Sequence, residues 1–135
     1  EAYRDIKLLQ KQGVNTLLPD APQPAWFYRL CDRLGVYVVE RANINPIKES
    51  GNRKVGGTMS NNPKLVEEYL RRVRAMYYRT RNHACIIAYA LGGDRAGNGY
   101  CMYKAYEWLK GVEKSRAVIC TSADGEWNTD LDKIE

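Results

Sequence analysis

The chain has 135 residues with 44% apolar and 27% charged side chains, enough for one domain with a sizeable core. Its longest unbroken apolar run, near Cys85–Leu91, is far too short to span a bilayer, and the charged start Glu1-Ala2-Tyr3-Arg4-Asp5 holds no apolar signal core, so no membrane partner is expected. The net charge of +5 invites a nucleic-acid reading, but the densest basic stretch (Arg71, Arg72, Arg74, Arg79, Arg81) shares a helical pattern with Glu67 and Glu68 and has apolar Val66, Leu70, Val73 and Tyr77 opposite, which describes a solvated helix face.

The chain begins as if already inside a helix, as it would mid-protein: Tyr3, Ile6 and Leu9 recur at helical spacing, and Gly13 follows as a stop. Val14–Leu18 reads as a short strand ended by Pro19. Beyond a turn rich in proline, a helix is predicted over Ala25–Leu34, with Phe27, Leu30, Cys31 and Leu34 on one face and Gly35 closing it. Val36–Val39 is the second strand. Asn45–Asn62 is polar and glycine-rich, a long loop expected to be mobile for want of apolar anchors. Asn62 then caps a helix that has Pro63 in its first turn and runs to about Arg81.

Cys85–Leu91 is nearly all apolar, as a strand buried on both faces requires. The glycine-rich stretch Gly92–Gly99 leads to a helix with Met102, Tyr106, Leu109 and Val112 on one face, and Ala117–Thr121 is the fourth strand. Strands alternating with helices imply a parallel sheet with crossover helices, either an open doubly wound sheet or part of a (β/α)8 barrel. Four strands are too few to close a barrel. No GxGxxG links the first strand to its helix, which disfavours a dinucleotide site.

The four cysteines, Cys31, Cys85, Cys101 and Cys120, form no CxxC pair, and His83 is the one histidine. No zinc or other metal site and no cofactor are expected; Cys31, Cys85 and Cys120 read as small buried hydrophobes. Tyr77 and Tyr78 read as packing residues, and Trp26 and Trp108 as core or helix-surface residues; Trp127 lies in the polar tail, where an indole is free to stack on a ligand ring. The composition does not fix the compartment.

Ligands in parallel α/β folds gather at the carboxyl ends of the strands. Those ends hold Asp20, then Glu40 and Asn43, then Asp94, then Asp124. Each also has a plainer role. Asp20 and Asp94 can cap a turn or helix, and Glu40 can pair with the adjacent Arg41.

A chain of specific words runs through these elements. It reads Asp5-Ile6-Lys7-Leu8-Leu9, Gly13-Val14-Asn15-Thr16, the long run from Trp26 to Val39, Ala42-Asn43-Ile44, Arg79-Thr80-Arg81-Asn82-His83, Ala90-Leu91-Gly92 and Ser115-Arg116. Together they resemble the catalytic barrel of glycoside hydrolase family two, the β-galactosidase and β-glucuronidase family. The resemblance covers nearly the whole chain as one domain piece, roughly barrel strands two to five. It implies a partial (β/α)8 barrel and retaining hydrolysis of β-glycosides.

The same resemblance implies the site residues. The family's Leu-Gly-Asn-Glu word, which carries the acid/base, stands here as Leu91-Gly92-Gly93-Asp94. Asp94 becomes the catalytic candidate, one methylene short, and Gly93 lacks the amide that would hold the sugar. Asp20 and Asn43 are the other substrate-binding candidates. Where the family reads His-Tyr-Pro this chain keeps only a proline, and Asp-Glu-Ala-Asn-Ile-Glu has become Glu40-Arg41-Ala42-Asn43-Ile44-Asn45. The family's nucleophile lies near strand seven; Glu126 and Glu135 come too early for it. Three readings follow: part of an inactive or strongly altered hydrolase acting on a β-glycoside or glycan, part of an active one that uses Asp94, or a binding module unrelated to sugars. Family members are often exported. Exposed sheet edges lead us to expect a homodimer of the isolated chain.

Overall fold

A computed structural model gives the fold and describes residues 1–44, 58–92 and 99–120. The elements in chain order are α1 (Ala2–Lys11), β1 (Thr16–Leu17), α2 (Ala25–Leu34), β2 (Tyr37–Arg41), a single 3-10 turn (Pro63–Leu65), α3 (Val66–Thr80), β3 (Ile86–Ala90), α4 (Tyr100–Val112) and β4 (Ala117–Ile119). The four strands form one parallel sheet in the order β1-β2-β3-β4. Parallel neighbours need a crossover, and α2, α3 and α4 lie in the three connections. The sequential order is that of a partial (β/α)8 barrel, the architecture that the resemblance implied and one of the two that the alternation left open.

The stops act as the sequence suggested. Gly13 has φ 90° and Gly35 has φ 69°, conformations that cost glycine little. The amides of Gly35 and Val36 both return to the Cys31 carbonyl, closing α2. Two boundaries differ from expectation. The first strand shrinks to Thr16–Leu17: at its start the Val14 amide still returns to the Leu9 carbonyl at 3.0 Å, and at its end Pro19 has no N–H to donate; its ladder starts with the Tyr37 amide on the Asn15 carbonyl at 2.8 Å. The third helix opens with 3-10 geometry: the Asn62 side chain accepts from the Lys64 amide at 3.1 Å, and the Leu65 amide bonds the Asn62 carbonyl at 2.9 Å. Residues 45–57, most of the loop expected to be mobile, lie outside the described residues.

The main core fills the space between sheet and helices. Val38, Ile86, Tyr89, Leu91 and Val118 meet Tyr28 and Cys31 of α2, Val73, Met76 and Tyr77 of α3, and Met102, Ala105 and Leu109 of α4. Each fully buried large side chain, such as Leu109 or Met102, contributes on the order of 1.5–3 kcal/mol. Val39, Ala88, Ala90 and Ile119 form a second, smaller cluster on the other face of the sheet, the face that a closed barrel turns inward. Between Val38 and Val39 the register with β3 jumps from Ile86 to Ala88, leaving Ile87 as an unpaired extra residue.

Tyr77, Tyr78 and Trp108 pack edge to face. Tyr77 is buried and Tyr78 is exposed, while Trp26 lies half-exposed on the surface of α2. All four cysteines are free and buried. The basic side of α3 is ion-paired: Arg71 and Arg72 both reach Glu68, at 2.6 and 2.9 Å, and Arg74 lies 3.8 Å from Glu67. Among the described residues no helix is long and apolar enough to cross a membrane.

Candidate functional site

The two ends of the sheet have different characters. The amino end is bolted by hydrogen bonds. Asp32 of α2 accepts from His83 Nδ1 at 2.7 Å and from the Cys85 amide at 2.8 Å, tying α2 to the entry of β3. Arg116, just before β4, donates to the carbonyls of Ile86, Arg81 and His83 at 2.8, 2.9 and 3.2 Å. It also reaches Glu113 at 3.0 Å and lies over the Tyr89 ring. Glu113 in turn accepts from the Ser115 and Arg116 amides. Burial acts to raise the Glu113 carboxyl, but these bonds outweigh it and hold the group below its usual range. The sole histidine and the Ser-Arg word therefore belong to the scaffold, and among the described residues no three His, Cys, Asp or Glu side chains gather as a metal cluster.

The carboxyl end carries the candidate site. Asp20 follows β1, Asn43 follows β2, and Leu91-Gly92 follow β3. Among the described residues Asp20 caps no helix: the N-cap of α2 is Pro24, with no side-chain cap. Instead the fully exposed Asp20 carboxylate lies 3.4 Å from Arg41 Nη1. This also corrects the expected pairing of Glu40 with Arg41. Consecutive strand residues point to opposite faces, so those two side chains diverge. Arg41 shares the inner face with Val39 and lies in register with Ala90, a small neighbour that leaves room for its guanidinium. The Asn43 side chain is exposed, and its backbone carbonyl is held by Arg72 Nη1 at 2.6 Å. Gly93, Asp94, Asp124 and Trp127 lie outside the described residues.

Glu40 turns toward the helices and is fully buried. Its Oε1 accepts the Arg41 amide at 3.1 Å, while Oε2 makes no direct hydrogen bond among the described residues. Burial pushes its carboxyl up, against the opposing influence of the Tyr28 hydroxyl, the Arg41 amide and the Arg79 charge. Tyr28 is raised in turn, by burial first and by Glu40 second. Glu40 is thus held away from the inner face. The Arg41–Asp20 contact had a signal in the sequence, opposite charges just beyond two neighbouring strands. The burial of Glu40 had one too, since it stands two residues after the core residue Val38.

A parallel sheet in sequential order with helices in its crossovers defines a stretch of a (β/α) barrel, and polar groups gather at its carboxyl edge. The family model of the glycosyl hydrolases family 2 TIM barrel domain matches residues 1–135, and the chain belongs to that family. It is 34% identical over 119 residues to a β-galactosidase of Vibrio cholerae, covering 85% of this chain and 11% of that protein. A β-galactosidase of Pectobacterium atrosepticum is 36% identical over 116 residues, again covering 85% and 11%. The chain thus spans about a tenth of the length of these relatives. Among solved structures, a β-glucuronidase from an uncultured Clostridium superposes with TM-score 0.70 at 14% identity, covering 87% of this chain and 21% of that one. A β-glycosidase from Bacteroides vulgatus gives 0.69 at 21% identity, covering 95% and 16%. These two likenesses concern the fold.

Proposed function

We propose that this chain supplies one wall of a β-glycoside site in a longer family 2 protein, and that its share of the hydrolytic machinery is altered so that hydrolysis is lost or strongly reduced. The observation that carries this reading is Arg41. A guanidinium paired with Asp20 occupies the inner face at the end of β2, where the family's sequence word places an acid. Asp94, the acid/base candidate by position, keeps a carboxyl but is one methylene shorter than glutamate. A displacement near 1 Å of a reacting group costs on the order of a hundredfold in rate. Gly93 offers no side chain to a sugar hydroxyl. Asp20 and Asn43 flank the site from the ends of β1 and β2.

The test is an assay of the full-length protein on chromogenic β-galactosides and β-glucuronides. The reading expects no turnover, or turnover about a hundredfold or more below that of an enzyme with the full family word. Brisk hydrolysis that disappears in Asp94→Ala would overturn it in favour of an active retaining glycosidase that uses Asp94. Membership of the family weighs against the remaining reading, a non-catalytic binding module unrelated to sugars.

The isolated chain is also proposed to self-associate by pairing sheet edges. Among the described residues β1 and β4 each have a strand neighbour on one side only, which supports this. Sedimentation of the chain at high concentration should show a dimer; a clean monomer would refute the idea.

A further inference from the structure

We propose that Arg41 is an oxyanion-binding residue, and that the glycoside taken at this edge of the barrel carries an acidic group, a carboxylate or a sulfate ester. The inference rests on the reading above that the carboxyl edge holds a β-glycoside, and it adds the substrate class. Arg41 stands at the end of β2 on the inner face, beside Ala90 in register and two residues on from Val39. Its side chain is only 18% exposed, so the charge is partly withdrawn from water. A guanidinium has five N–H donors in a planar fork. Among the described residues the Arg41 side chain has one polar contact, the 3.4 Å approach of Nη1 to Asp20.

Asp20 is 99% exposed, so it remains well hydrated when released. An exposed pair at this distance is weak. A ligand oxyanion that meets the fork with two parallel bonds is a stronger partner than one distant carboxylate. Asp20 therefore acts as a placeholder that keeps Arg41 turned along the edge and yields to a ligand. On the inner face around Arg41, the described side chains of β2, β3 and β4 are apolar: Val39, Ala88, Ala90, Ala117 and Ile119. Such walls strengthen a charge-assisted bond made there. The opposing acid Glu40 is turned to the other face and buried, so it does not neutralise Arg41 from the ligand side.

The experiment is calorimetric titration of the full-length protein with methyl β-galactoside, methyl β-glucuronide and methyl 6-O-sulfo-β-galactoside. At least one acidic glycoside should bind tenfold or more tightly than the neutral one, with an advantage that shrinks as salt rises. Comparing the two acidic probes tells carboxylate from sulfate. The advantage should vanish in Arg41→Gln, and Asp20→Asn, a change on an exposed turn, should tighten acidic probes severalfold by removing the competing carboxylate. Equal binding of acidic and neutral glycosides would overturn this inference while leaving a β-glycoside site intact. Failure of all three probes would overturn the glycoside reading with it. An acidic preference that survives Arg41→Gln and is unmoved by Asp20→Asn would place the anion elsewhere and overturn the inference alone.

Discussion

Asp32 and His83, 51 positions apart in sequence, meet at 2.7 Å between Oδ2 and Nδ1, and the second Asp32 oxygen takes the Cys85 amide. One carboxylate therefore anchors α2 to the chain entering β3. Burial alone would raise this carboxyl, but the hydrogen bonds from His83 and Cys85 outweigh it and hold the group below its ordinary 3.8. A carboxyl lowered on folding contributes stability above its unfolded value and loses it as pH falls through the folded one. Asp32→Asn should cost about 1.5–3 kcal/mol at pH 7, in the range of hydrogen bonds to charged groups. The cost should shrink below about pH 4 as the wild-type carboxyl takes up its proton. Urea titrations at neutral and acid pH measure both; a cost independent of pH would contradict the assignment.

Arg116 grips three carbonyls and the nearly buried Glu113 at once. Arg116→Ala should destabilise by about 3–5 kcal/mol, since it also strands a buried carboxylate. Arg116→Lys should recover only part of this, because an ammonium cannot reproduce the planar fork. Thermal or urea unfolding of the two variants should rank wild type, Lys, Ala.

Glu40 predicts the opposite sign. Its carboxyl is raised by burial, so its contribution is fully present below the unfolded value and declines as pH climbs toward and through the folded one. Glu40→Gln removes that decline. The variant should match wild type near pH 4 and exceed it by about 1 kcal/mol at pH 8, a difference readable by chemical denaturation. A loss of stability at pH 8 would mean that the carboxylate has a partner worth more than its burial costs.

Gly99 approaches another backbone closely. A β-carbon there would lie 2.8 Å from the Asn61 β-carbon and from the Ser60 carbonyl oxygen. Both obstacles are on or next to main chain and cannot swing aside. Gly99→Ala should cost about 1–3 kcal/mol and disturb the packing of α4 against the turn before α3. The shift in unfolding midpoint measures it, with Gly111→Ala as a control, since nothing stands within 4 Å of a β-carbon there.

The four thiols are buried, and burial pushes Cys31 up to about 11 with Asp32 adding to it; Cys85 is raised further, again by burial first. A thiol reagent at pH 8 should label the native chain slowly and the urea-unfolded chain at once. Rapid labelling of the folded chain would show that these cysteines open to solvent.

Much of this arrangement is legible in the residues themselves. Glycine stops, apolar runs and the alternation of strand and helix are local signals, and they placed every element with shifts of a few residues at most. The shifts arose where local chemistry met a neighbour: the Val14 bond back to α1 and Pro19 beyond Leu18 cut β1 short at its two ends, and the Asn62 cap drew Pro63–Leu65 into a tighter turn. The site was less legible. Glu40 and Arg41 look alike as a charged pair at a strand end, yet the pleat sends Glu40 outward to the helices and Arg41 onto the inner face. Which face is which depends on the sheet's partners. The roles of Asp32, His83 and Arg116 were invisible for a similar reason, since their partners, Glu113 apart, lie between 27 and 53 positions away.

The strand order has a last consequence, for the route by which the chain reaches this structure. Each strand lies beside the one made just before it, and none must be threaded between strands already in place. The sheet is able to grow outward from β1 as the polypeptide leaves the ribosome, each helix docking when its flanking strands are complete. On such a route the Asp32 anchor closes when β3 arrives and the Arg116 grip only when β4 does. Truncations that end before Arg116 should therefore keep the α2–β3 anchor while leaving the growing edge unlatched.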